Sequence, residues 1–152
     1  MQRFRGLGWQ LPALISMAVA GLLIAIYLTA THAGNVPLVC TVGSIVNCAS
    51  VTHSAYSVVP GTSIPISILG ALWFLVAGGM ATAALLANRA GRPEPVWLPP
   101  LHLAWAGLGL IVVLYLVYVE IVVLHQICEW CTAVHLLVIG TLVLTLRRVQ
   151  QR

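Results

Sequence analysis

Four long apolar runs, separated by polar or proline-marked links, dominate the hydrophobic pattern of this chain. They cover about Leu11–Ala30, Ile64–Ala87, Leu101–Leu124 and Cys131–Leu146, with Cys128 through Trp130 expected as the first turn of the last. Each is near the roughly 20 residues that an α-helix needs to cross about 30 Å of hydrocarbon. No water is present there to pair backbone groups, so such spans are helices. Pro60-Gly61 marks the turn before the second run. Ser63 is its expected cap, and Pro65 lies in its expected first turn, where a missing N–H costs little. Pro99-Pro100 precedes the third, and Asn88–Val96, with Gly91, Pro93 and Pro95, reads as a short link. After Cys48, the segment Ala49–Val59 sets Val51, Ala55 and Val58 at helical spacing among Ser50, Thr52, His53 and Ser54. That pattern predicts a short amphipathic helix lying across the bundle mouth as a lid. The expected fold is all-α and integral to the membrane. A single domain over residues 1–152 contains a four-transmembrane-helix bundle (about 11–30, 64–87, 101–124, 128–146) and a cysteine-bearing outer loop over 31–63.

Composition agrees. The chain is 61% hydrophobic and 7% charged, against roughly 25% charged in an ordinary soluble domain. The net charge of +4 comes from seven arginines and no lysine. They sit at segment ends and form no basic stripe to follow a phosphate backbone, which excludes a nucleic-acid partner. Arg3 and Arg5 precede the first run, Arg89 and Arg92 separate the second and third, and Arg147, Arg148 and Arg152 follow the fourth. Residues 31–63 and 125–127 hold no Lys or Arg. The positive-inside rule then sets both termini in the cytoplasm and the cysteine-bearing links outside. The first run exceeds the 7–15 apolar residues of a secretory signal, and Thr31-His32-Ala33 makes a poor cleavage site, so it is expected to stay as a helix.

The chemistry lies in four cysteines, all at the same expected membrane face: Cys40 and Cys48 in the loop, Cys128 and Cys131 as a C-x-x-C opening the last helix. Three-residue spacing brings both sulfurs of the C-x-x-C to one face of a helical turn. The helix N-terminus favours the thiolate that thiol–disulfide exchange requires. Three blander readings stand beside this one. A cysteine in a membrane helix is often an apolar filler, four cysteines can hold zinc, and two disulfides can be purely structural. The C-x7-C spacing is a poor zinc half-site, and an outside compartment favours disulfides, so no metal is expected. His135, one turn beyond Cys131, is an ionisable group below the interface, able to hydrogen-bond a quinone carbonyl or relay the proton needed as that carbonyl becomes a hydroxyl, or simply to hydrogen-bond a neighbouring helix. Glu120, near the outer end of the third run, reads as a proton conduit or as an interfacial carboxylate, with the interface favoured; His125 and Glu129 read as boundary residues, and His102 as remote from the thiols. Trp73, Tyr115 and Tyr118 read as packing residues of the bundle interior or headgroup region.

The order of these features resembles the vitamin K epoxide reductase family in its bacterial form. The likeness rests on the loop C-x7-C, the lid segment Ser54-Ala55-Tyr56, the run Gly61…Ile64-Pro65…Leu69-Gly70 leading into the second helix, and the C-x-x-C opening the fourth. The DsbB family also has four helices and two cysteine pairs, but carries its C-x-x-C in the first outer loop. The resemblance implies a bundle around a quinone of ubiquinone or menaquinone type, capped by the loop. It implies catalytic roles for Cys40, Cys48, Cys128 and Cys131, with Cys40/Cys48 accepting electrons from a partner, Cys48 exchanging with Cys128, and Cys131 facing the quinone. Ser54, at the position of the family's lid hydroxyl, and His135 join Cys131 as expected quinone contacts. Vertebrate members carry Tyr where this chain has His135, so epoxide reduction does not carry over with the likeness. The expected activity is that of a thiol:quinone oxidoreductase in a bacterial cytoplasmic (inner) membrane, supporting disulfide formation by reoxidising an extracytoplasmic thioredoxin-fold oxidase. Some relatives carry that thioredoxin domain fused; with the chain ending at Arg152, the oxidase is expected to be a separate protein. Alternatives are a vitamin K quinone or epoxide reductase and a non-catalytic metal-handling membrane protein.

Overall fold

A computed structural model describes residues 8–41 and 43–151. Arg3, Arg5 and Arg152, used above for orientation, lie outside the described residues. Among those described, four helices are long and apolar enough to cross a membrane. They are α1 (Gln10–His32), α3 (Ile66–Arg89), α4 (Leu98–Tyr118, continued by a π turn over Val119–Val123) and α5 (Glu129–Gln150). A fifth, short helix, α2 (Cys48–Thr52), and a 3₁₀ turn (Ala55–Ser57) lie in the long loop.

Polar contacts fix the alternation of directions. Gln10 Nε2 donates to Gln151 Oε1 at 3.0 Å, joining the start of α1 to the end of α5. At the other end Thr29 Oγ1 donates to Ser67 Oγ at 2.8 Å, joining the end of α1 to the start of α3. The cysteines therefore gather at one end of an antiparallel bundle, and Arg89, Arg92, Arg147 and Arg148 at the other.

Small residues set the tightest seam. On α1, Ala18, Gly21 and Ala25 approach α3 at Gly78, Phe74 and Gly70, and a Cβ on Gly21 would stand 2.3 Å from the Phe74 ring. Small side chains let membrane helices approach closely enough for dispersion and packing to hold them. The outer faces of the bundle, including Leu23, Leu75, Ile111 and Leu136, are exposed and suit lipid. Helices α3 and α4 meet sparsely by comparison. Their link is the reciprocal pair in which Trp73 Nε1 donates to the Trp105 carbonyl and Trp105 Nε1 to the Trp73 carbonyl, each at 3.1 Å.

Several local expectations change. Ser63 does not cap α3. The Val59 N–H donates to the Ile64 carbonyl at 2.9 Å and Val58 pairs with Pro65, so the chain stays extended to Pro65, which takes the N-cap position. The lid is two pieces rather than one helix over 49–59: α2 stops at His53, and the chain is extended at Ser54 before the 3₁₀ turn. Cys128 is not in the first turn of α5. It is the extended N-cap residue, and the helix begins at Glu129. Helix α5 also runs past Leu146, so Arg147 and Arg148 belong to it.

Candidate functional site

The site forms where the loop and the two helix ends meet. The Asn47 side chain caps α2 by accepting from the Ser50 N–H, at 3.1 Å, which starts the helix at Cys48. Upstream, Ile45 to Asn47 pair with the link before α5. The Ile127 N–H donates to the Ile45 carbonyl at 2.9 Å, and the Asn47 N–H donates to the Ile127 carbonyl at 3.1 Å. Asn47 immediately precedes Cys48, and Ile127 immediately precedes Cys128, so this short bridge brings the second loop cysteine beside the first of the C-x-x-C. Both Cys48 and Cys128 are fully buried.

Cys40 and Cys48 are joined in a disulfide, with their Cα atoms 6.1 Å apart. Cys128 and Cys131 are free thiols. Although Cys128 lies outside the helix, capping converges the pair. Its Sγ accepts from the Cys131 N–H at 3.3 Å and from the Cys131 thiol at 2.7 Å. The Cys131 hydrogen bond pulls the Cys128 thiol below its ordinary pKa, aided by the Cys131 and Trp130 N–H groups, against burial and the Glu120 charge. Cys128 is thus the hydrogen-bond acceptor of the pair.

The two residues between the C-x-x-C cysteines grip the loop on either side of Cys40. Glu129 accepts from the Thr41 N–H at 2.6 Å, and Trp130 Nε1 donates to the Val39 carbonyl at 2.7 Å. Glu129 carboxylate oxygen lies within 4.8 Å of both disulfide sulfurs. Tyr27 on α1 holds the same strand, accepting from the Val39 N–H at 2.9 Å, while its ring lies 5.1 Å from that of Trp130. Glu129 therefore does more than sit at the water boundary.

Beneath the thiols a cavity of about 600 Å³ opens between α3 and α4 and reaches α5 and the lid. Its lining is overwhelmingly apolar. Cys131 and His135 border it from α5, Ser54 and Tyr56 from the lid, and Trp73 and Tyr115 from the bundle. Cys128 is absent from that wall, which separates the buried thiol from the one facing the cavity. A Cβ on Gly109 would stand 2.6 Å from the Trp73 ring, so that glycine allows the indole to lie flat against α4. Ser54 Oγ donates to the Val51 carbonyl at 2.8 Å, leaving its oxygen able to accept. His135 is buried and makes no hydrogen bond to another helix among the described residues. Tyr118 is exposed and lies off this wall. The lid is held to α1 by His32, whose Nδ1 lies 2.8 Å from the Thr52 carbonyl oxygen and whose ring stacks on His53 at 5.7 Å.

Glu120, for which the sequence favoured the interface over a proton conduit, is placed differently by the structure. It is buried rather than interfacial, lines the cavity, and its Oε2 accepts from the Cys128 N–H at 3.4 Å. The signal that points to it is the buried stripe of α4, His102, Ala106, Gly109 and Val113, which continues at helical spacing to Glu120.

An apolar chamber of this size, with a thiol and a few polar groups at one end, fits a lipid-soluble ring carrying carbonyl groups. The sequence model of the vitamin K epoxide reductase family matches residues 12–146. No curated protein matches the chain.

Proposed function

The chain belongs to the vitamin K epoxide reductase family, and from that premise we propose that it is a thiol:quinone oxidoreductase that reoxidises a separate extracytoplasmic thioredoxin-fold oxidase. The family implies an oxidoreductase of the membrane acting in quinone-linked disulfide chemistry. The finer reading rests above all on the bridge of Ile45–Asn47 to Ile127, which sets Cys48 beside Cys128 while Cys131 faces the cavity.

On this reading the partner's dithiol attacks the Cys40–Cys48 disulfide at the less buried Cys40. The partner's second thiol closes on its first, so that the partner leaves oxidised and the Cys40 thiolate is freed. The Cys48 thiolate attacks Cys128 of an oxidised Cys128–Cys131 pair and releases Cys131, and Cys40 then attacks Cys48 and releases Cys128, which restores the outer disulfide and leaves the inner pair reduced. An outer disulfide with an inner dithiol is the arrangement reached once electrons have moved inward. The substrate, a ubiquinone or menaquinone type ring, is held against Cys131 by Ser54 and His135. The inner dithiol then becomes a disulfide and the ring a quinol. For this two-electron couple about 30 mV corresponds to about 1.4 kcal/mol, so small potential differences between the pairs suffice to set direction. In the membrane the arginine-bearing end faces the bacterial cytoplasm and the cysteines face outward, as the positive-inside rule requires.

The test is anaerobic quinone reduction by purified, dithiol-reduced protein, followed optically. Stoichiometric quinol is expected from the wild type and none from Cys131→Ala. A folded wild-type protein that yields no quinol would sink the reading.

A further inference from the structure

Oxidising a dithiol with a quinone is a proton problem as well as an electron problem. Two S–H bonds break, one S–S bond forms, an electron pair moves to the ring, and two protons must end on its oxygens. Nothing is gained from or lost to water overall, so the protons can travel inside the protein if a group there carries them. The Cys128 proton has the harder route, because Cys128 is fully buried and does not border the cavity.

Glu120 stands between the two places. Its carboxylate meets Cys128 at the backbone N–H, 3.4 Å away, and also borders the cavity that Cys131 faces. Among the described residues it is the one carboxyl group on that wall, and no cation forms an ion pair with it. Its place is built rather than accidental. The π turn closes with the Leu124 N–H on the Val119 carbonyl at 2.9 Å, and the Glu120 carbonyl accepts from the Gln126 N–H at 3.0 Å. His125 takes a left-handed backbone, φ 52°, to make that link. Ionisable groups inside a membrane bundle are costly and mark proton or substrate pathways, and π turns concentrate at functional sites.

We propose that Glu120 carries the proton of the C-x-x-C pair, taking it as Cys128 closes on Cys131 and delivering it across the cavity to the reduced ring. This rests on the thiol:quinone reading above and adds the residue that moves the proton. Other titratable groups facing the space are His135 and Cys131 on α5, His32 on α1, Tyr56 in the lid and Tyr115 on α4. Of these only the α5 groups belong to the helix that bears the thiols.

The discriminating variant is Glu120→Gln, whose amide oxygen still accepts from the Cys128 N–H but cannot take a proton. Single-turnover quinol formation should slow about 100-fold, the lower end of the range for general acid–base catalysis, with a changed solvent deuterium effect. Thiol exchange between the two cysteine pairs should not slow comparably, because the variant removes only the Glu120 charge beside Cys128. Infrared difference spectra of quinone-free protein, recorded as diamide oxidises the thiols, should show a carboxyl band that Glu120→Gln lacks. A wild-type rate and deuterium effect in Glu120→Gln would overturn the proposal. So would a slow Glu120→Ala beside a normal Glu120→Gln, which would make Glu120 a positioning residue alone. Absence of quinol from the wild type would overturn the thiol:quinone reading instead, while the infrared band would still report on Glu120 as proton carrier for the thiols.

Discussion

The two ends of the bundle bury polar groups equally deeply and put them to opposite uses. At the arginine-bearing end, Arg148 of α5 and Glu94 of the α3–α4 link form an ion pair at 2.8 Å, their side chains 2% and 3% exposed. Leu11, Leu14, Ala81, Ala84, Leu98 and Leu144 pack together there. His102 lies buried at that end with neither ring nitrogen hydrogen-bonded. At the thiol end, Glu120, His135 and Cys131 border open space, and the loop is held by hydrogen bonds from residues that flank the cysteines. A closed ion pair locks helices; a carboxyl beside a cavity can exchange protons. On the function proposed above, the same residue types serve stability at one end and chemistry at the other, according to whether a partner or a space stands opposite.

Variants can break this division. The largest effect on stability is expected from Glu94→Ala, which leaves the Arg148 guanidinium buried without its counterion at a cost of about 3–5 kcal/mol. Thermal unfolding in detergent should report it, while quinone reduction per folded molecule stays at the wild-type level. Replacing both partners, Glu94→Leu with Arg148→Met, should recover most of the loss; if it does not, the pair has a role beyond neutralisation. Gly109→Ala should come next, at about 1–3 kcal/mol for overpacking. It pushes the Trp73 ring off α4 toward the cavity, so binding of a quinone analogue, followed by tryptophan quenching, should weaken as well. Unchanged binding would show that the Trp73 wall does not shape the chamber. The smallest effect is expected from Glu129→Gln, which weakens one grip on the Cys40 strand by about 0.5–1 kcal/mol. Amide exchange at Thr41 should rise about 2–5-fold, with global unfolding unmoved; protection equal to wild type would mean that Trp130 and Tyr27 hold the strand without it.

Hydropathy made the four spans readable, because lipid leaves a backbone little choice but helix. Both thiol pairs were equally legible, since C-x-x-C at a helix start and a second pair in the loop leave few other chemistries. What the one-dimensional pattern misjudged were residues whose role depends on a neighbour distant in sequence. Ser63 lost the cap position because Val58 and Val59 pair with Ile64 and Pro65. Arg148 reads as a charge beyond the last span, yet α5 extends through it because Glu94, 54 positions earlier, neutralises it. Glu120 reads as interfacial because it lies near the end of an apolar run, yet the α4 stripe and the π turn carry it inward.

Length, hydropathy and cysteine spacing by themselves determined that this chain is a four-helix membrane protein with two thiol pairs at one end. Those properties follow from the solvent and from local backbone geometry, which act on each segment separately. Only the tertiary structure decided that Cys48 lies beside Cys128, that Cys131 opens on a chamber, and that Glu120 shares it. Such placements depend on how helices and loop pack, through contacts between residues many positions apart, and no local pattern encodes them.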